Sequence, residues 1–87
     1  MAALDRMNLS ISEEVRRLMA ERGILEEDVR EAIDHAETTG EKFIDPSTGR
    51  FLAFHRPDRV TYWVEYSLVD EGYRVLRAYS HRMEMKR

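Results

Sequence analysis

From Ile11 onward, apolar residues recur at intervals of three and four. Ile11, Val15, Leu18 and Met19 fall at the spacing that lines one side of an α-helix. Ser10 and Glu13 stand three apart, as in a capping box, so the helix is expected to start at Ser10. Gly23 suits the left-handed residue after a helix end, and Ile24 supplies the apolar contact that follows such a stop. A second helix is predicted over residues 26–38. Leu25, Val29, Ala32, Ile33 and Ala36 form its apolar stripe, and Gly40 ends it. Glu26, Glu27 and Asp28 sit where the helix dipole favours negative charge. Two helices joined by a short glycine-containing turn make an αα-hairpin.

Beyond Gly40 the period drops from 3.6 to two. Strands are predicted over 41–44, 50–56, 60–69 and 73–85. Between them lie three turns: Asp45 to Gly49, Pro57 to Arg59, and Asp70 to Gly72. Connections this short favour antiparallel neighbours. The expected fold is α+β, an N-terminal αα-hairpin packed on one face of a four-stranded antiparallel β-meander. Residues 1–9 are expected to be a flexible N-terminus and residues 10–87 a single α+β domain.

Turn lengths set the register. A three-residue loop with Gly72 left-handed pairs Val69 with Tyr73, Tyr66 with Leu76, Glu65 with Arg77, Val64 with Ala78 and Trp63 with Tyr79. A three-residue loop at Pro57 pairs Arg56 with Val60, His55 with Thr61, Phe54 with Tyr62, Ala53 with Trp63 and Leu52 with Val64. One face then gathers Leu52, Phe54, Tyr62, Val64, Tyr66, Leu68, Leu76 and Ala78, and is the expected core. The other gathers Phe51, Ala53, His55, Trp63, Glu65, Val75, Arg77, Tyr79 and His81. A one-residue slip in either hairpin reverses these faces.

Charge divides along the same boundary. Residues 1–40 hold 5 Lys/Arg against 10 Asp/Glu, a net of −5, and residues 41–87 hold 9 against 7, a net of +2. The acidic half reads as solvated helix surface, and a nucleic-acid binder usually shows a stronger basic bias. The chain has no cysteine, which excludes disulfides and thiolate metal sites within it. The N-terminus has no apolar run of signal-peptide type, and no apolar stretch approaches the ~20 residues that span a bilayer. A cytoplasmic protein without a membrane partner is expected.

Candidate chemistry concentrates late in the chain. Arg77, Tyr79, His81 and Arg82 combine a proton carrier, cationic groups and a ring that stacks on a base, a set that serves RNA cleavage. The same residues, with Trp63, describe a partner-binding face rich in Tyr, Trp and Arg. His55, Thr61 and His81 would form one row, but histidines two strands apart stand about 9–10 Å from each other, long for two ligands of one metal, and no third ligand is evident. No metal or cofactor is expected. Asp45 to Gly49 lacks the glycines and lysine of a phosphate loop, and the sequence holds no nucleophile-elbow, zincin or dinucleotide motif.

The run RLMAERGILEEDVREAI, residues 17–33, resembles the helical opening of small bacterial domains of the BrnT and RelE-like toxin superfamily. There an Arg-Gly-Ile-like helix end leads into Glu-Glu-Asp-Val and a second helix, with antiparallel strands following. The resemblance implies a ribonuclease regulated by an antitoxin, with basic residues late in the sheet carrying the chemistry; the matching positions are Arg77, Arg82 and His81. The chain departs from such basic RNA binders in its net acidity and in lacking a dense Arg/Lys cluster in the final strand.

The leading expectation is a small interaction or accessory module without catalysis of its own. It would dock through the open face at Trp63, Glu65, Arg77, Tyr79, His81 and His55, or along an edge strand. The partner would be a protein, either an antitoxin or a subunit of a larger enzyme such as an oxidoreductase. The alternative is a RelE/BrnT-like ribonuclease toxin or an inactive relative. RNA binding is disfavoured by the acidic balance.

Overall fold

A computed structural model describes residues 8–57, 59–70 and 72–82, with Arg82 described by its backbone alone. The elements are β1 (Leu9–Ile11), α1 (Glu13–Glu21), α2 (Glu26–Thr39), β2 (Phe43–Ile44), β3 (Phe51–His55), β4 (Val60–Val69) and β5 (Gly72–Arg82). They build a two-layer α+β fold in which two helices lie on a mixed five-stranded sheet of order β1-β5-β4-β3-β2. The meander β2 to β5 is antiparallel, as its short connections require. The fifth strand was not expected: β1 pairs parallel to β5, Leu9 with Tyr73 and Ile11 with Val75. Of the expected flexible N-terminus, residues 1–7 lie outside the described residues, and Leu9 already belongs to β1.

β1 displaces the expected helix start. Ser10 lies in the strand, and the cap is Ser12, whose hydroxyl accepts the Val15 N–H at 3.2 Å. Both serines precede the same apolar run, and the first is drawn into the sheet because Ile11 pairs with Val75. At its other end α1 stops as expected: Gly23 has φ 71°, and the Ile24 N–H returns to the Met19 carbonyl at 2.8 Å. Met19 and Ile24 are both buried. α1 lies over β5, while α2 lies over β3 and β4. Val29, Ala32, Ile33 and Ala36 of α2 are fully buried. Leu25 is not part of that stripe. It is the residue before the helix, 63% exposed, and its backbone N–H is held by the Asp28 carboxylate at 2.9 Å.

The sheet completes the core with Ala53, Val64, Tyr66, Val75 and Ala78. Trp63 faces Tyr79, Val64 faces Ala78 and Glu65 faces Arg77, the expected pairs. Nearer the turn the pairs differ: Val69 faces Gly72 and Tyr66 faces Val75. The loop is one residue shorter than expected, and a bulge that sets Leu76 aside restores the register beyond it. The bulge carries Val75 into the core and leaves Leu76 half-buried. Leu68, also expected in the core, is 57% exposed.

β3 is reversed relative to expectation. Ala53 faces Val64, Phe54 faces Trp63, Leu52 faces Glu65 and His55 faces Tyr62, a slip of one residue. Ala53, fully buried, meets the helices, and Phe51 on the same side packs its ring 5.5 Å from that of Tyr66. Leu52 and Phe54 turn to the other face. The small side chain lets α2 approach the sheet, and Phe54 meets other aromatic rings where it points.

One polar network ties α2 to the sheet. The Tyr66 hydroxyl donates to Glu37, which also receives Lys42 at 2.8 Å. Burial opposes ionisation of Glu37, but the hydrogen bonds from Lys42 and Tyr66 outweigh it and hold the carboxyl below its usual value. Burial, reinforced by Glu37, pushes the Tyr66 hydroxyl up, so it remains a donor. Because Glu37 is depressed in the folded state, its stabilisation is full above the ordinary value of 4.5 and fades as pH falls through the lower folded value. After allowance for solvent screening, Glu37→Gln is expected to cost about 1 kcal/mol near neutral pH. The gap to the parent protein in urea midpoint should shrink at about pH 3. An equal gap at both pH values would contradict this account.

Candidate docking face of the sheet

The face of the sheet turned away from the helices carries no described element. β2 places Phe43 on it, β3 places Leu52 and Phe54, β4 places Trp63 and Glu65, and β5 places Arg77, Tyr79 and His81. Alternation along each strand sends these side chains to one side, and the ladder brings neighbouring strands within about 5 Å of one another.

At its centre is an aromatic cluster. The Phe43 ring stacks 6.3 Å from Trp63 at an interplanar angle of 30°, and Phe54 lies 5.6 Å from Trp63 and 6.2 Å from Phe43. His35, on α2, meets the Phe54 ring edge-on at 5.8 Å and is held by Glu41 at 2.9 Å. Phe43 is 58% exposed although it makes two of these ring contacts. The cluster therefore presents an apolar, preorganised surface to solvent.

Charged groups border it. Glu65 lies between Arg50 at 3.4 Å and Arg77 at 3.9 Å. The Arg77 guanidinium also stands 5.7 Å from the Tyr79 ring centroid, within cation–π range. A cavity of about 290 Å³ opens beside these residues, lined chiefly by Phe43, Leu52, Arg50, Glu65 and Tyr79. Its lining combines apolar side chains with charged groups of both signs.

The sequence-predicted site residues divide. Trp63, Glu65, Arg77 and Tyr79 share the open face, joined by an exposed His81 opposite Thr61. Arg77, Tyr79 and His81 follow at alternate positions of β5, roughly 7 Å apart at each step. Arg82 ends that strand. His55 does not belong there. The slip in β3 turns it toward the helices, where it meets Glu31 of α2 at 3.0 Å. The row His55, Thr61 and His81 is therefore broken. Among the described residues, no three His, Asp or Glu side chains gather in a metal-holding cluster.

Phe43, Leu52, Phe54 and Arg50 were not recognised from the sequence as members of this face. The signal for Phe43 is weak because β2 is only two residues long. A three-residue loop at Pro57 sends Leu52 and Phe54 to the opposite side, and the one-residue slip in β3 brings them here. Asp45 to Gly49 is a turn, as expected: the Asp45 carboxylate accepts the Ser47 hydroxyl at 2.8 Å and the Ser47 N–H at 3.0 Å. These bonds, the hydroxyl's first, hold the Asp45 carboxyl below its ordinary range.

Fold and site together define a class: a two-layer α+β domain whose sheet carries helices on one face and an aromatic, charge-bordered surface on the other. Comparisons of the chain with protein-family models, with curated proteins and with solved structures found no match. No helix among the described residues is long and apolar enough to cross a membrane.

Proposed function

We propose that the protein is a small interaction module without catalysis of its own, which binds a protein partner through the open sheet face. The observation that carries this reading is the ring cluster of exposed Phe43 with half-buried Phe54 and Trp63, on a face that no described element covers. Buried aromatic anchors ringed by charged groups dominate the energetics of protein interfaces, and Arg50, Glu65 and Arg77 supply such a ring here. The partner is the subunit of a larger enzyme or an antitoxin-like regulator.

The test is affinity capture of a partner by the tagged chain, followed by binding measurements with the purified pair. Trp63→Ala and Phe43→Ser are expected to weaken binding by about 30-fold each, corresponding to ~2 kcal/mol at an anchor position. Leu25→Ser, which replaces an exposed apolar residue remote from that face, should leave it unchanged. Equal affinity across all three variants would overturn the proposal.

A second reading rests on the row of Arg77, Tyr79 and His81 along β5. A ribonuclease of the toxin kind would arrest growth on overexpression, and Arg77→Ala or His81→Ala would relieve the arrest. Normal growth with intact RNA would remove that alternative.

A further inference from the structure

We propose that the outer edge of β5 accepts an extended acidic segment of a partner protein as an additional strand. This edge borders the aromatic face and shares Arg77, Tyr79 and His81 with it, but the main-chain groups it offers lie outside that face. β5 is eleven residues long, but β1 pairs with only three of them, Tyr73, Arg74 and Val75. From Leu76 onward, no described strand lies on that side. The chain leaves β1 at Ser12 to enter α1, a helix that packs against β5 and adds no strand to its edge.

The backbone at this edge points outward. In an antiparallel ladder the N–H and C=O of a residue point to the same side, and the direction alternates along the strand. The Ala78 carbonyl accepts the Arg22 guanidinium at 2.7 Å, so it faces away from β4. The N–H of Ala78, and both backbone groups of Ser80, therefore face the same way. Arg22 occupies one of the positions that a neighbouring strand would fill.

Charge selects the strand that fits. Among the residues whose side chains are described, β5 carries Arg74, Arg77 and His81 and no acidic residue, and Arg22 adds another cation at Ala78. Arg77 is 69% exposed, and its contact with Glu65 across the ladder is long at 3.9 Å. Glu14 lies near the Arg74 end, lining the groove between α1 and β5, so the basic character is strongest toward 77–81. A strand added here places alternate side chains opposite Arg77, Tyr79 and His81. The matching segment has acidic residues at positions i and i+4, with an aliphatic residue between them opposite Tyr79. An arriving strand takes over the Ala78 carbonyl, and the released Arg22 meets an acidic side chain. Edge addition of this kind draws affinity from main-chain hydrogen bonds and specificity from alternate side chains.

The experiment uses the full chain, labelled with ¹⁵N, and the capped peptide Thr-Glu-Thr-Val-Thr-Glu-Thr. Saturable shifts are expected at the amides of 77–81. At about ten times the dissociation constant, the Ala78 amide should exchange with solvent roughly tenfold more slowly, since only the unbound fraction exchanges. Lysine in place of both peptide glutamates should abolish the shifts. Ser80→Pro removes an outward N–H without taking a bond from the β4–β5 ladder, so the folded protein should no longer bind. Arg77→Glu, at an exposed position, should weaken binding even if Ser80→Pro fails to fold. No saturable shift at millimolar peptide, equal binding of the lysine peptide, or full binding by Arg77→Glu would overturn the proposal. Shifts confined to Phe43, Leu52 and Trp63 would also overturn it, while leaving the aromatic face as a docking surface.

Discussion

Replacing Ile33 by alanine is expected to destabilise the domain by about 2–5 kcal/mol, the cost of a large-to-small change at a buried site. Ile33 is fully buried on the face of α2 that presses on β3 and β4. Its neighbours Ala32, Ala36 and Ala53 are small and also fully buried, so they have little side chain with which to refill the space. A domain of this size holds a total stability toward the low end of about 5–15 kcal/mol, so the variant should be close to unfolding at room temperature. Urea denaturation followed by Trp63 fluorescence reads the effect, with a lower midpoint and an unchanged slope. Leu25→Ala is the matched control. It stands beside the same helix but is 63% exposed, so its cost should stay within about 0.5 kcal/mol. Equal losses at the two positions would contradict the burial described for α2.

The second large effect is expected at Gly72. The left-handed conformation anticipated there is absent: Gly23, Gly40 and Gly49 have positive φ, and Gly72 does not. The need for glycine comes instead from Asn8, the residue before β1. A Cβ at Gly72 would collide with the backbone carbonyl of Asn8, whose oxygen accepts the Tyr73 N–H at 2.9 Å. Backbone in a ladder cannot swing aside as a long side chain does, so β1 must shift or detach. Gly72→Ala is expected to cost roughly 1–3 kcal/mol, as overpacking does. Loss of protection at the Tyr73 amide, with the β3–β4 ladder retained, would localise the effect. Unchanged exchange at Tyr73 would show that β1 tolerates the added methyl.

Which parts of this structure could be read in advance follows from how strongly local patterns commit. Gly23 and Gly40 each follow an apolar helical stripe, and both helices end beside them. β4 alternates over ten residues and was legible to both ends. The pairs Trp63–Tyr79 and Glu65–Arg77 came out as expected for a less direct reason. The short turn and the bulge at Leu76 offset each other, so an assumed three-residue loop reached the right register in the outer half of the hairpin. Near the turn there was no such cancellation, and Val75 and Leu76 exchanged roles. In β3 the sequence Phe51-Leu52-Ala53-Phe54 barely alternates, so only the loop could choose its face. That choice decided whether Phe54 met Trp63 and whether His55 met Glu31. β1 was hidden because Leu9-Ser10-Ile11 is three residues long and its partner lies more than sixty residues away.

The candidate site shows the same division. Trp63, Arg77 and Tyr79 lie on the long, well-patterned strands. Phe43 and Phe54 lie on the short or ambiguous ones, and they turn a row of residues into an aromatic surface.

The layering has an electrical consequence. Nine Asp/Glu against three Arg lie within α1 and α2, while β5 holds only cationic charges. Because the helices occupy one layer and the sheet the other, this imbalance gives the molecule a permanent dipole whose axis runs from the helical side toward the β5 side. An approaching body of uneven charge feels a torque before it makes contact, within roughly the 8–10 Å over which physiological salt lets such fields persist. A net charge of −3 understates this, because a small total conceals two poles of opposite sign.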